Sequence, residues 1–142
     1  MRPSTSYAIR LRNETVELAR LSAFVSEFCE REQLPPDFDM VLNLVAEEAF
    51  MNVVLHGFEQ PCGSDLSFTF TRDEQAVTLI VEDAAKAFNP LEAPEFDPAT
   101  PIEQRRAGGL GIHLLRNLMN ELQYERLEGQ NRLTMRKLIP SA

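Results

Sequence analysis

Glu48 and Asn52 stand four residues apart in the run Val41 to Gly57, and later in the chain Gly108, Gly109 and Gly111 open another stretch of helical periodicity. On one helix a carboxylate and a carboxamide at i and i+4 project from the same face. Glycines at a helix start leave main-chain N–H groups open to an anion. An Asn side-chain oxygen is a hard neutral ligand of the kind Mg²⁺ accepts alongside waters and phosphates, and a Glu one turn earlier could take a proton from an attacking hydroxyl or water. Together the two elements suggest a site for a magnesium-bound polyphosphate. His56 extends the stripe, since each i+4 step drifts only about 40° around the axis; near a helix C-terminus its simpler role is to close the helix. Asp83 ends the apolar run Val77 to Val81, where a carboxylate could accept a hydrogen bond from an exocyclic amine such as that of adenine. Each feature also has a plain structural reading, as a solvated helix face, a turn residue or a hinge.

The elements that must position these residues can be read from periodicity. Tyr7, Ile9 and Leu11 alternate with polar residues and predict a first strand. Leu18, Leu21, Val25 and Phe28 recur at helical spacing, and the pattern fades in Glu30 to Gln33 ahead of Pro35 and Pro36. A second helix begins near Asp37 to Asp39, carries Val41, Leu42, Val45 and Ala49 on its apolar side, and ends at Gly57. Leu66, Phe68 and Phe70, then Val77, Leu79 and Val81, predict an antiparallel hairpin turning through Arg72 to Glu74. From Ala84 to Ala107 four prolines are scattered without usable period, the pattern of a long functional loop. Leu110, Leu114, Leu115 and Leu118 mark a third helix, and Glu121 to Leu127 with Arg132 to Ile139 form a closing hairpin through Glu128 to Asn131. This order argues for an α+β sandwich, with helices on one face of a largely antiparallel mixed sheet.

Composition narrows the function classes. A chain of 142 residues with 44% hydrophobic content suits one compact domain with a real core. Fourteen basic against twenty-two acidic residues give a net charge of −8, which opposes binding to nucleic acid or an anionic membrane. No apolar stretch reaches the roughly 18 residues that span a bilayer, and Met1 to Asn13 lacks the apolar core of a secretory signal, so a cytoplasmic location is expected. Cys29 and Cys62 have no partners at metal-ligand spacing and read as structural thiols. The glycine cluster follows a loop and lacks the final glycine of the dinucleotide fingerprint, while G-x-x-x-x-G-K-[ST] and H-R-D runs are absent.

Three ordered motifs resemble the GHKL ATPases, and within them the small bacterial anti-sigma factor serine/threonine kinases. Glu48-Ala49-Phe50-Met51-Asn52 with His56-Gly57 resembles the family's N box; Asp83 through Phe88-Asn89-Pro90-Leu91 resembles its first glycine box; Gly108-Gly109-Leu110-Gly111-Ile112 resembles its second. Leu118 to Glu121, Tyr124-Glu125, Gly129-Gln130-Asn131 and Thr134 are similar to its C-terminal hairpin, so the resemblance covers nearly the whole chain. It implies a two-layer Bergerat-type ATPase sandwich over residues 1–142 with an ATP lid at about 84–109. ATP and Mg²⁺ are the implied cofactors. Asn52 would coordinate Mg²⁺, Asp83 would bind the adenine amine, Gly108, Gly109, Leu110 and Gly111 would wrap the phosphates, and Thr134 would assist at the adenine. In such kinases the residue matching Glu48 activates a serine hydroxyl of an anti-anti-sigma (STAS-domain) protein. The same proteins bind and silence a sigma factor, often as homodimers.

The first glycine box departs from the pattern, with Ala85 at the usual glycine and Ala87 at the frequent proline. If the backbone at Ala85 needs positive φ, alanine costs roughly 1 kcal/mol or more; a weakened ATP site is then expected, with Lys86 as the compensating cation. Arg105 and Arg106 are candidate lid contacts to the γ-phosphate or a solvated pair. The functions that follow are an ATP-dependent kinase acting on a STAS-domain protein, or a non-enzymatic partner-switching anti-sigma module whose nucleotide site is weakened or lost. The ATPase half of a sensor histidine kinase fits less well, because no phosphoacceptor segment is expected ahead of the domain.

Overall fold

The computed structural model describes residues 3–54, 65–85, 87, 89, 91 and 109–140, with the backbone alone for 109–112. Five strands, β1 (Thr5–Arg12), β2 (Asp65–Arg72), β3 (Ala76–Asp83), β4 (Glu121–Leu127) and β5 (Gln130–Leu138), form one sheet in the order β1-β2-β3-β5-β4. All four pairings are antiparallel, so the parallel component expected of a mixed sheet does not occur among the described residues. Tight turns account for two of the pairings, β2–β3 and β4–β5, because strands so joined pair antiparallel; β1–β2 and β3–β5 are joined through helices. Asp73 makes the β2–β3 turn, its Oδ1 accepting from the N–H groups of Gln75 at 2.7 Å and Ala76 at 2.9 Å. The β4–β5 turn holds Glu128 and Gly129 at φ of 49° and 79°, the paired positive values of a type I′ two-residue hairpin.

One face of the sheet is apolar. Leu66, Phe68 and Phe70 of β2, Val77, Leu79 and Val81 of β3, and Leu133 and Met135 of β5 are all buried, each separated by one more exposed residue. Against this face lie α1 (Leu18–Arg31), α2 (Pro36–Asn52) and α3 (Gly109–Leu118). Helix α1 follows a 3-10 turn, Thr15–Glu17, and ends where Gln33 takes a φ of 52° and the Leu34 N–H reaches back to the Cys29 carbonyl. Pro36 occupies the first turn of α2, where its missing N–H is not needed, and Asp37 and Asp39 complement the positive end of the helix.

The core joins these layers. Phe28 contacts Tyr7 edge-on at 5.2 Å and Phe70 at 5.3 Å, and Phe50 stands 6.4 Å from Phe68. Each such buried aromatic contributes about 1.5–3 kcal/mol through removal from water. The consequence for function is rigidity: α2 and β3, which carry Asn52 and Asp83, are fixed on opposite sides of the same core. Helix α2 ends earlier than expected, passing at Val53 and Val54 into a wider π turn. His56 and Gly57, expected to close that helix, lie outside the described residues.

Candidate functional site

Helix α2 buries Phe38, Val41, Leu42, Val45, Ala46, Ala49 and Phe50, and the same inward face ends in Asn52. Asn52 is 8% exposed and makes no side-chain hydrogen bond to any described residue. A carboxamide largely removed from water ordinarily has partners, and its oxygen is a neutral hard donor suited to a cation such as Mg²⁺. Among the described residues no group of three or more His, Cys, Asp or Glu could hold a metal ion; a cation here would complete its shell from phosphate and water. Glu48, one turn earlier, is half-buried at the margin of the helix. Burial pushes its carboxyl above the usual range, and the neighbouring Glu47 charge adds to the effect.

Asp83 closes β3 on the inner face of the sheet, in register with Val81 and Leu79. Its Oδ1 accepts two hydrogen bonds, from the Ala85 N–H at 3.0 Å and from Asn131 Nδ2 at 2.9 Å. Oδ2 has no hydrogen bond to any described residue. Burial pushes the Asp83 carboxyl up, against the lowering influence of Asn131, of the Ala85 N–H and of the Arg126 charge. A carboxylate with one oxygen satisfied by the protein and the other available is equipped to recognise a donor such as an exocyclic amine.

The structure corrects two expectations here. The first concerns Ala85: positive φ occurs among described non-glycine residues only at Gln33 and Glu128, so alanine at 85 carries no left-handed strain. Its methyl is packed away at 2% exposure, its N–H serves Asp83, and its carbonyl accepts from Arg126 Nη1 at 2.7 Å. The expected compensating cation, Lys86, lies outside the described residues; Arg126 is the cation found at the Ala85 backbone. The second concerns Thr134. It pairs with Ile80, and strand parity sends it to the open face of the sheet, whereas Asp83, Leu133 and Asn131 face the helices. Thr134 is not brought together with Asp83.

Asn131, expected in the closing turn, lies inside β5, directly opposite Asp83, at 6% exposure. The alternation Asn131, Leu133, Met135 is the signal that could have found it, since it continues the inner-face period back to a polar residue. Arg126 carries no such signal, because its contact with Ala85 crosses between hairpins.

Gly109, Leu110 and Gly111 form the first turn of α3 and so stand within the helix rather than before it. First-turn N–H groups still lack intrahelical acceptors. Gly108, Arg105 and Arg106 lie outside the described residues. Where the preceding loop is described, the Asn89 side chain accepts from the Leu91 N–H at 2.9 Å, and Arg116 of α3 donates to the Leu91 carbonyl. A hollow of about 280 Å³ between α1 and α2, lined by residues including Leu18, Asn43 and Glu47, contains none of these site residues. Cys29 is buried, which with the Asp39 charge pushes its thiol up to about 12; Cys62 lies outside the described residues.

The histidine kinase-like ATPase domain family matches residues 11–137. The chain belongs to this family. Among histidine kinase-like relatives, the serine/threonine-protein kinase BtrW of Bordetella bronchiseptica is 32% identical over 94 residues, covering 66% of each chain. An anti-sigma F factor of Heyndrickxia coagulans is 26% identical over 122 residues, 84% of this chain and 79% of that one. The serine-protein kinase RsbW of Bacillus subtilis is 28% identical over 92 residues, 62% and 58% of the two chains. A crystal structure of the RsbU and RsbW domains of a Mycobacterium tuberculosis protein matches with a TM-score of 0.65 at 15% identity, over 99% of this chain and 34% of that one. The histidine kinase-like fold is thereby shown, in a chain about a third the length of that structure. No helix among the described residues is long and apolar enough to cross a membrane.

Proposed function

We propose that the chain is one ATPase domain that binds Mg·ATP and transfers phosphate to a serine of a STAS-domain anti-anti-sigma protein, while binding a sigma factor when that partner is absent. The observation that carries the nucleotide site is Asp83: a buried carboxylate with Oδ1 held by Ala85 and Asn131 and Oδ2 without a described partner. Asp83 receives the adenine amine. The Asn52 oxygen holds the cation, the first-turn N–H groups of α3 with Gly108 hold phosphate oxygens, and segment 84–109 is the lid. Bound Mg·ATP supplies the phosphoryl group and the cation that neutralises its charge. Glu48 removes the proton from the serine hydroxyl; its burial makes it a stronger base than a solvated glutamate. The relatives, two kinases and an anti-sigma factor by name, support the same pairing of activities.

The non-enzymatic module draws its support from Ala85, and that support weakens with an unstrained backbone at 85. The net charge of −8 favours a partner with a basic docking surface. Calorimetric titration of Mg·ATP tests the site: saturable binding is expected from the wild type and a loss of about tenfold or more from Asn52→Ala. With a STAS-domain protein from the same genome, Glu48→Gln is expected to keep ATP affinity and to slow phosphate transfer by about 10²-fold or more. Transfer at the wild-type rate by Glu48→Gln would remove Glu48 from the mechanism.

A further inference from the structure

Three side chains of the β4–β5 hairpin converge on the Asp83–Ala85 corner. Asn131 faces Asp83 across the β3–β5 pairing, so their side chains are neighbours on the inner face. Its Nδ2 donates to Asp83 Oδ1 at 2.9 Å and approaches the Ala85 carbonyl at 3.4 Å. Its Oδ1 accepts from the Tyr124 hydroxyl. Arg126 donates to the Ala85 carbonyl at 2.7 Å. A carboxamide has a donor end and an acceptor end that look alike in shape, and only its partners decide which end faces a neighbour. The Tyr124 hydroxyl, donating to Oδ1, turns the Nδ2 donors toward Asp83. An ionised carboxylate can only accept, so this sense of the amide is the one that holds it. With Oδ1 engaged twice, Oδ2 is the oxygen available to an incoming donor.

We propose that Asn131 is a positioning residue for purine recognition: it orients the Asp83 carboxylate toward a 6-amino group, with Tyr124 setting the sense of its carboxamide and Arg126 bracing the Ala85 carbonyl. This rests on the nucleotide site proposed above and deepens it, since it places the selection of adenine partly in the C-terminal hairpin. The role also explains how a box with alanine in place of glycine keeps its corner in shape, because the Ala85 backbone is held by Asp83 on one side and Arg126 on the other.

The test compares Mg·ATP with the triphosphate of purine riboside, which lacks the 6-amino group, by calorimetric titration into wild type, Asn131→Ala and Tyr124→Phe. Wild type is expected to prefer ATP. Asn131→Ala is expected to lose about tenfold in ATP affinity while its affinity for the amine-free analogue stays within about twofold, so the preference collapses. Tyr124→Phe, which removes one hydroxyl, is expected to reduce the preference in the same direction by about threefold; it decides between the outcomes if Asn131→Ala does not fold. Equal weakening of both nucleotides would make Asn131 a structural residue only, and an unchanged preference in both variants would remove it from recognition. Absence of ATP binding by wild type would instead overturn the nucleotide site itself, and this role with it.

Discussion

The two ends of the sheet each carry a buried acidic side chain tied to a tyrosine or an amide, and the two are bonded differently. At the β2 end, the Tyr7 hydroxyl donates to Glu32 Oε2 at 2.6 Å and Arg72 Nη1 donates to the Glu32 carbonyl, so the end of α1 is fastened to β1 and β2. At the other end, Asp83 is held by Asn131 and the Ala85 N–H through one oxygen only. Both acids are nearly buried, at 5% and 6% exposure. The difference lies in what is left over: the Glu32 cluster joins α1 to β1 and β2, whereas the Asp83 cluster joins β3 to β5 and leaves Oδ2 without a described partner. A buried polar cluster is therefore a candidate binding site when part of its hydrogen-bonding capacity is left over, and not merely because it is buried.

The largest effect that would break this comparison is Asp83→Asn. The amide keeps an Oδ1 acceptor for Ala85 and Asn131 but presents a donor where the amine should bind, and ATP affinity is expected to fall about a hundredfold in calorimetry. Stability moves the other way. A carboxyl whose folded pKa is raised contributes stability while protonated, in full below its unfolded value of about 3.9 and lost as pH rises through the folded value. Burial raises Asp83, with Asn131, Ala85 and Arg126 opposing. At pH above that folded value the ionised carboxylate costs stability, so nucleotide-free Asp83→Asn is expected to melt at or above the wild-type temperature at neutral pH, with the gap narrowing on acidification. A variant that melts well below wild type at neutral pH would assign Asp83 to the fold, like Glu32.

Glu32→Ala is the converse probe. It removes the acceptor of the Tyr7 hydroxyl in a part-buried place, and about 1–3 kcal/mol of unfolding free energy should be lost in urea titration. Mg·ATP affinity of the folded protein should be unchanged; a parallel fall in affinity would join the two ends into one functional unit.

The smallest effect concerns Ala85→Gly, where the family pattern and the observed backbone predict opposite signs. The family pattern favours glycine at this position. The structure places the alanine outside the positive-φ region with its methyl buried, so glycine loses packing and adds backbone entropy to the unfolded chain. A loss of about 1 kcal/mol in stability and no gain in ATP affinity are expected. Tighter ATP binding by Ala85→Gly would restore the reading in which alanine obstructs the base.

Much of the architecture is legible along the chain, because its signals are local. Alternation of Leu66, Phe68 and Phe70 with polar neighbours specifies a strand with one buried face, helical spacing of Leu21, Val25 and Phe28 specifies an amphipathic helix, and Gly129 marks a turn, all without reference to distant residues. Glu48, Asn52 and Asp83 stand out because helix spacing and strand ends are also local. Boundaries are less legible: α2 passes into a π turn at Val53, a departure that helical periodicity does not encode.

What the tertiary structure decided was pairing and parity. Asp83 and Asn131 are 48 positions apart, and only the β3–β5 register sets them side by side. The same register turns Thr134 to the opposite face, since a shift of one residue along a strand exchanges the two faces of a sheet. Arg126 reaches the Ala85 carbonyl across that pairing, and the backbone at Ala85 takes its unstrained conformation from the same corner. Residue type and local period thus determined which elements form and which chemical groups they carry; register, a property of two strands together, decided which of those groups meet.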